Sequence, residues 1–268
     1  MRRLNDKSPL SAETLYGINA VEAALGRRPI DYVLAAEGHR SPRLEAVIAA
    51  CRARGVPVRF APKQALDRMA GSVQHQNVVA ICAAKGYATL EAMLGYSGNG
   101  EDRAAAGNAL FVVLDGVEDP ANLGAVARTA VAAGATGMVI PERRAAGLSA
   151  SVARAAAGAL EHISVARVTN LTRALIEIKN QQIWTYGFEA QGEKSYLDLD
   201  YSLPCALVFG GEGRGLHRLV REACDQVGRI PLYGPVESLN VSVAAAIVLY
   251  EAARQRRPAG KGRDEHER

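Results

Sequence analysis

Apolar residues recur along this chain in two rhythms. Over the first third, short apolar runs alternate with stretches whose apolar positions fall three and four residues apart. That pattern predicts helices over 18–25, 42–54, 63–69 and 90–94, and strands over 31–35, 56–60 and 77–82. Helices alternating with short apolar strands imply a small α/β layer.

From residue 109 the runs are longer and richer in β-branched residues. "ALFVVLD" (109–115), "GMVI" (137–140), "ISVARV" (163–168), "QIWTYGF" (182–188), "CALVFG" (205–210) and "VGRIPL" (227–232) read as strands. Helical stretches at 123–133, 150–160, 171–179, 216–223 and 240–254 separate most of them. Near-continuous apolar strands alternating with helices predict a parallel sheet covered on both faces, with ligands bound beyond the strands' carboxyl ends. Between the blocks, "SGNGEDRAAAGN" (97–108) is small and polar, as a linker should be. The tail 257–268 is charged, lacks apolar anchors and is expected to be disordered. The expected organisation is therefore a domain over 1–96, a linker over 97–108, a larger domain over 109–256 and a tail.

Composition narrows the class. Of 268 residues, 49% are apolar and 22% charged, as in soluble globular proteins. No apolar run approaches the roughly 18 residues that span a membrane, and the start lacks the apolar segment of a secretory signal. A bacterial cytoplasm is the expected setting. Cys51, Cys82, Cys205 and Cys224 lie far apart, with no CxxC pair and no histidine at zinc spacing, so reduced thiols and no metal are expected. A net charge of +4 permits a nucleic-acid partner without requiring one.

Three turns after strands carry the candidate chemistry. "LDGVEDPANLGAVARTA" sets Asn122 and Arg128 around Gly124, with Asn122 as a helix cap and Arg128 as a surface residue for the alternative. "LVFGGEGRGLHRLV" places Gly210, Gly211, Gly213 and Gly215 around Glu212. That spacing is neither GxGxxG nor GxxxxGK[ST], which argues against a dinucleotide-dependent dehydrogenase and against a nucleotide triphosphate. "VESLNVSVAAAIVLYEAARQR" opens a helix on Ser238 and Asn240 and then shows no wet face for three turns. Either those residues simply cap the helix, or a buried helix tip turns its free N–H groups toward a ligand.

Together the three segments resemble the SpoU family of RNA ribose methyltransferases, within the SPOUT or α/β-knot class. N-x-G-x-x-x-R is matched by Asn122, Gly124 and Arg128, and G-x-E-G-x-G by Gly210, Glu212, Gly213 and Gly215. I-P followed by S-L-N-V-S-x-A is matched by Ile230, Pro231, Ser238, Leu239, Asn240, Val241, Ser242 and Ala244. In the first block, "LYGINAVEAAL" and "HQNVVAI" are similar to the small substrate-binding domain of the ribosomal-RNA guanosine 2′-O-methyltransferase subgroup. They depart from it at Asn77, where that subgroup usually has glycine.

The resemblance implies a deep trefoil knot holding S-adenosylmethionine (SAM), a homodimer formed through the knot region, and methyl transfer to a ribose 2′-hydroxyl. Gly210, Ile230 and Leu239 would hold the cofactor largely through backbone groups, with Leu232 and Gly211 beside them. Arg128 is the residue implied to activate the hydroxyl, and Asn122, Glu212, Ser238 and Asn240 form its polar shell. A guanidinium with a pKa above about 12 is suited to clamp a phosphate and stabilise developing alkoxide, which leaves the proton's acceptor open. Tyr16, Asn19, Arg27, Arg28, His75 and Gln76 are the implied RNA contacts, with turn capping as the alternative for His75. RNA follows from the chemistry, because only RNA offers a 2′-hydroxyl. The implied target is a guanosine of large-subunit ribosomal RNA. A transfer-RNA ribose, or a non-catalytic SAM- and RNA-binding knot protein, are the alternatives.

Overall fold

A computed structural model describes residues 12–38, 41–95, 108–211, 213 and 215–256. The chain opens with β1 (Ala12–Tyr16), α1 (Ile18–Ala24), β2 (Ile30–Ala36), α2 (Pro42–Ala53), β3 (Val58–Ala61), α3 (Lys63–Ala70) and β4 (Val78–Ala83). Next come α4 (Leu90–Met93), β5 (Leu110–Asp115), α5 (Pro120–Ala133), β6 (Gly137–Pro141) and α6 (Ala150–Ala155). β7 (Ser164–Val168), α7 (Leu171–Asn180), β8 (Trp184–Phe188) and β9 (Lys194–Ser195) follow. The chain closes with β10 (Cys205–Gly210), α8 (Arg218–Ala223), β11 (Gln226–Arg229) and α9 (Val241–Arg256). Among the described residues these elements form two compact units, one of those up to Gly86 with Leu148–His162, the other of those in Tyr87–Gly147 and from Ile163 to Arg256.

The first unit carries a mixed sheet in the order β1-β4-β2-β3. β4 runs antiparallel to both neighbours, and β2 runs parallel to β3. Pattern alone did not find β1, whose five residues bury only Leu15 and Tyr16. α2 starts where its sequence dictates, with Pro42 in the first turn and the Ser41 hydroxyl accepting from Leu44 N at 3.2 Å.

The helix expected over 150–160 breaks at Ala157 and Gly158, both at positive φ, and resumes as a 3₁₀ turn over Ala159–His162. Gly158 lies so close to α1 that a Cβ there would sit 2.8 Å from the Asn19 carbonyl oxygen. Glu161 then pairs with Arg28 at 3.1 Å, and Arg28 pairs with Glu13 at 2.7 Å. Buried charges hold only with such partners, so this stretch folds with residues 12–86 and not with the larger domain that contains it in sequence.

The second unit holds seven strands among the described residues, all parallel, in the order β7-β6-β5-β10-β8-β11-β9. β5 is buried along its whole length, as a central parallel strand must be. Phe111 and Val113 face a core built with α4, α7 and α8. The alternate residues face the opposite side, where α9 lies on β10 and packs along α5. This is the expected parallel sheet with helices on both faces.

The strand order is interleaved. β10 follows β8 in sequence yet separates it from β5, and β11 slips between β8 and β9. Where these segments cross, a Cβ on Gly192 would lie 2.2 Å from the Gly228 carbonyl oxygen, so only glycine fits. The strand expected over 227–232 stops at Arg229, because Pro231 has no N–H to give a ladder. The helix expected from 216 starts at Arg218, and the two-residue β9 was too short to register as a pattern.

All four cysteines are free thiols; burial pushes Cys205 up to about 11 and Cys224 up to about 12. No helix among the described residues is long and apolar enough to cross a membrane, and no side-chain cluster among them could hold a metal. Residues 97–107 of the expected linker and the tail 257–268 lie outside the described residues.

Candidate active site at the strand ends

α5 begins at Pro120 because Asp119 caps it, accepting from Ala121 N at 3.1 Å and Asn122 N at 3.3 Å. The capping role that pattern left open for Asn122 is therefore taken by Asp119, and Asn122 turns inward and is buried. Its Oδ1 accepts from Asn240 Nδ2 at 3.1 Å. Asn240 Oδ1 meanwhile accepts from the Ser242 backbone N–H at 2.8 Å and from its hydroxyl at 2.6 Å. Asn240 therefore caps α9, the plainer of the two readings, and also ties that helix to the start of α5. Asn240 itself is exposed, as are Val243 and Tyr250 on α9, so in the single chain this helix is not buried all round.

The glycines after β10 are required by close packing. A Cβ on Gly210 would lie 2.0 Å from the Gly215 carbonyl carbon, and one on Gly211 would lie 2.1 Å from the Gly116 oxygen. Gly211 N donates to the Asp115 carbonyl at 2.7 Å, which clamps the β10 end onto the β5 end. The Asp115 side chain is buried; Oδ2 accepts from His217 N at 2.7 Å and Oδ1 lies 2.9 Å from His217 Nδ1. A cleft of about 380 Å³ opens beside these groups, lined among others by Asn122, Glu118, Arg144, Gly211 and His217. Sequence reasoning missed Asp115 and His217. The available signal was the position of Asp115 as the last residue of a central parallel strand.

A second cleft of about 770 Å³ is lined by Ile230 and Leu232 together with Ala190, Gln191, Arg229 and Glu237. Among the described residues, no backbone group of 231–239 bonds to another backbone group. An apolar wall beside unused backbone donors and acceptors fits a flat adenosyl group that is read through the main chain. Of the residues expected to hold a cofactor, Ile230 and Leu232 line this cleft. Gly211 lines the smaller one, and Gly210 and Leu239 line neither. Ser238 is exposed, Arg128 is exposed on α5 and lines neither cleft, and Glu212 lies outside the described residues.

In the first unit, a cleft of about 500 Å³ gathers Tyr16, Asn19 and Gln76 with Lys63, Gln74 and Arg154. Gln76 Oε1 accepts from Ile18 N at 2.9 Å. His75 and Arg28 correct the expectation of RNA contacts. His75 is wholly buried, with Nε2 3.0 Å from Asp67 Oδ1 and Nδ1 accepting from Asn77 N at 3.0 Å, so it shapes the turn and touches no solvent. Asn77 sits at φ 62°, a left-handed conformation that glycine adopts freely and asparagine tolerates. Arg28 is held in the buried pairs with Glu13 and Glu161. Arg27 is exposed and donates to the Glu161 carbonyl at 3.2 Å.

Comparison with known proteins identifies the family. Residues 109–250 match the SpoU rRNA Methylase family, and residues 14–88 match the RNA 2′-O ribose methyltransferase substrate binding family. The chain belongs to the SpoU rRNA methylase family. Membership makes it an RNA 2′-O-ribose methyltransferase. Among curated SpoU relatives, the putative TrmH family tRNA/rRNA methyltransferase YacO of Bacillus subtilis is 42% identical over 91% of this chain and 96% of its own. The 23S rRNA (guanosine-2′-O-)-methyltransferase RlmB of Xylella fastidiosa is 43% identical over 90% and 96%. Among solved structures, the AdoMet-bound rRNA methyltransferase of Sinorhizobium meliloti superposes with a TM-score of 0.71 at 27% identity, covering 91% of this chain and 87% of that one. AviRb of Streptomyces viridochromogenes shares the fold, with a TM-score of 0.75 at 23% identity over 95% and 94%.

Proposed function

We propose that this SpoU enzyme transfers the methyl group of SAM to the ribose 2′-hydroxyl of a guanosine in large-subunit ribosomal RNA, in a bacterial cytoplasm. The observation that carries the reading is the Asn122–Asn240 hydrogen bond, which joins two motif segments 118 residues apart beside the smaller cleft, which Asn122 lines.

The sulfonium of the cofactor supplies an already activated methyl group. The protein's tasks are to hold the adenosyl group, orient the ribose and help the hydroxyl lose its proton. Ile230 and Leu232 would pack on the adenine while the main chain of 231–239 reads its edge. Asn122 and Asn240, locked to each other, fix the direction from which the ribose approaches. Arg128 clamps the adjoining phosphate and stabilises the developing alkoxide, a role that suits an exposed guanidinium. Tyr16, Asn19 and Gln76 choose the RNA through the cleft they share in the first unit.

A second copy of the chain completes the enzyme. Val243 and Tyr250 stand exposed on one side of α9, one heptad apart with half-exposed Ile247 between them, and Tyr233 and Val236 are exposed just before that helix. Such an apolar stripe is the surface a symmetric partner would cover.

The test incubates purified protein with radiolabelled SAM and either ribosomal or transfer RNA, then digests each RNA to nucleosides. 2′-O-methylguanosine from the ribosomal sample is the expected product. Label only in transfer RNA moves the target, and label in neither removes the assignment.

A further inference from the structure

We propose that the cleft of the first unit reads an unpaired guanosine of the substrate RNA, apart from the nucleotide that is methylated; this rests on the methyltransferase reading above and says what that cleft selects. Every residue lining it belongs to the first unit, whereas Asn122 and Asn240 belong to the second. Backbone strain gathers here. Of the five non-glycine residues at positive φ among the described residues, Gln76 at 50°, Asn77 at 62° and Ala157 at 49° line this one cleft. Residues held in such sparsely populated conformations cluster where a ligand is clamped. A volume of about 500 Å³ lies within the range of small-ligand sites and suits one extruded nucleotide.

The polar groups of the cleft are chiefly donors. Three of its carboxamides already have their oxygens engaged: Asn19 Oδ1 accepts from Arg43 at 2.5 Å, Gln76 Oε1 from Ile18 N at 2.9 Å, and Gln74 Oε1 from the Arg154 guanidinium. Those bonds fix the amide orientations and leave each NH2 group for a ligand. Lys63 and Arg154 add cations, and neither forms an ion pair with a described residue. No acidic side chain among the described residues lines the cleft. A ligand for such a wall is rich in acceptors. The cations match a backbone phosphate. For the base, guanine presents two acceptors, O6 and N7, on one edge, where adenine presents an acceptor beside a donor. In an A-form helix that edge lies in a groove side chains cannot read, so the guanosine must be unpaired. Arg154 comes from α6, inside the residues 109–250 that match the methylase family, so a stretch of the methylase sequence serves RNA recognition.

The test measures binding of the full chain, without SAM, to a short single-stranded RNA carrying one guanosine among cytidines, and to the same RNA with adenosine or 7-deazaguanosine in its place. The wild type should bind the guanosine RNA about tenfold more tightly than either analogue. Gln76→Glu keeps the acceptor for Ile18 N and exchanges the amide donor for a second acceptor, so it should lose that preference. In methyl transfer to ribosomal RNA the same variant should raise KM about tenfold with little change in kcat. Lys63→Ala should weaken all three RNAs alike and lower the slope of log affinity against log salt by about 0.7. Equal wild-type affinity for the three RNAs, or a preference kept by Gln76→Glu, overturns the proposal while the methyltransferase reading stands. A fall in kcat in place of a rise in KM would put the guanosine at the reacting ribose and overturn its separate role. A wild-type enzyme that labels no RNA overturns the reading and the proposal together.

Discussion

Asn240 caps one helix and holds a second through the same side chain. Replacing it with alanine removes the cap acceptor at Ser242 N and the donor to Asn122. Each loss is worth about 1 kcal/mol, so Asn240→Ala should lower unfolding free energy by about 2 kcal/mol in denaturant titrations. Asn240→Asp keeps the acceptor but not the amide donor. It should lose only the donor's share, about 1 kcal/mol, yet transfer methyl groups poorly; a fully active Asn240→Asp would contradict the orienting role. Residues of this kind were legible from motif spacing, since Asn122, Gly210, Gly211 and Asn240 all lie at strand or helix ends where the pattern placed them. What spacing does not carry is burial. His75 and Arg28 read as surface contacts because their partners, Asp67, Glu13 and Glu161, are fixed only by the fold.

At the scale of elements, Asp225 fastens the edge of the large sheet. It accepts from Thr185 N at 2.9 Å and Thr185 Oγ1 at 2.8 Å, and pairs with Lys179 at 2.8 Å. Partial burial alone would raise this carboxyl. The hydrogen bonds from Lys179 and Thr185, helped by the Lys179 charge, outweigh burial and hold it below its ordinary value. A depressed carboxyl contributes stability that is complete above the ordinary carboxylate range and is lost as pH falls through the lowered value. Asp225→Ala should therefore cost about 2 kcal/mol at pH 7, and the gap from wild type should close on acidification. A gap that stays constant down to pH 3 would show that the carboxylate charge is not what matters. Long apolar strands such as β5 and β10 were read correctly from their runs. β1 and β9 were missed because short, half-polar strands exist only through their partners, and the break at Ala157 and Gly158 follows from a tertiary contact with α1.

For the whole molecule, the order of domains along the chain is not the order in space. Leu148–His162 leaves the larger unit to fold with residues 12–86, held by Gly158 and the Arg28–Glu161 pair, while α4 packs in the larger unit's core. No local pattern marks such an exchange, because helix 150–155 is as good a helix in either setting. The apolar stripe on α9 also belongs to this scale. The wild type should sediment as a dimer, and Val243→Glu with Tyr250→Glu should shift it to monomer and reduce methyl transfer. A monomeric wild type would remove the symmetric interface.

In the proposed mechanism the strand-end motifs bind SAM independently of Arg128, which meets the RNA. The most direct measurement titrates SAM into wild type and Arg128→Ala by calorimetry and follows methyl incorporation into ribosomal RNA by the same two proteins. Equal SAM affinity with methyl transfer lost by about 10²-fold or more in Arg128→Ala is the predicted result. Full methyl transfer by Arg128→Ala, or a wild type that binds no SAM, would contradict it.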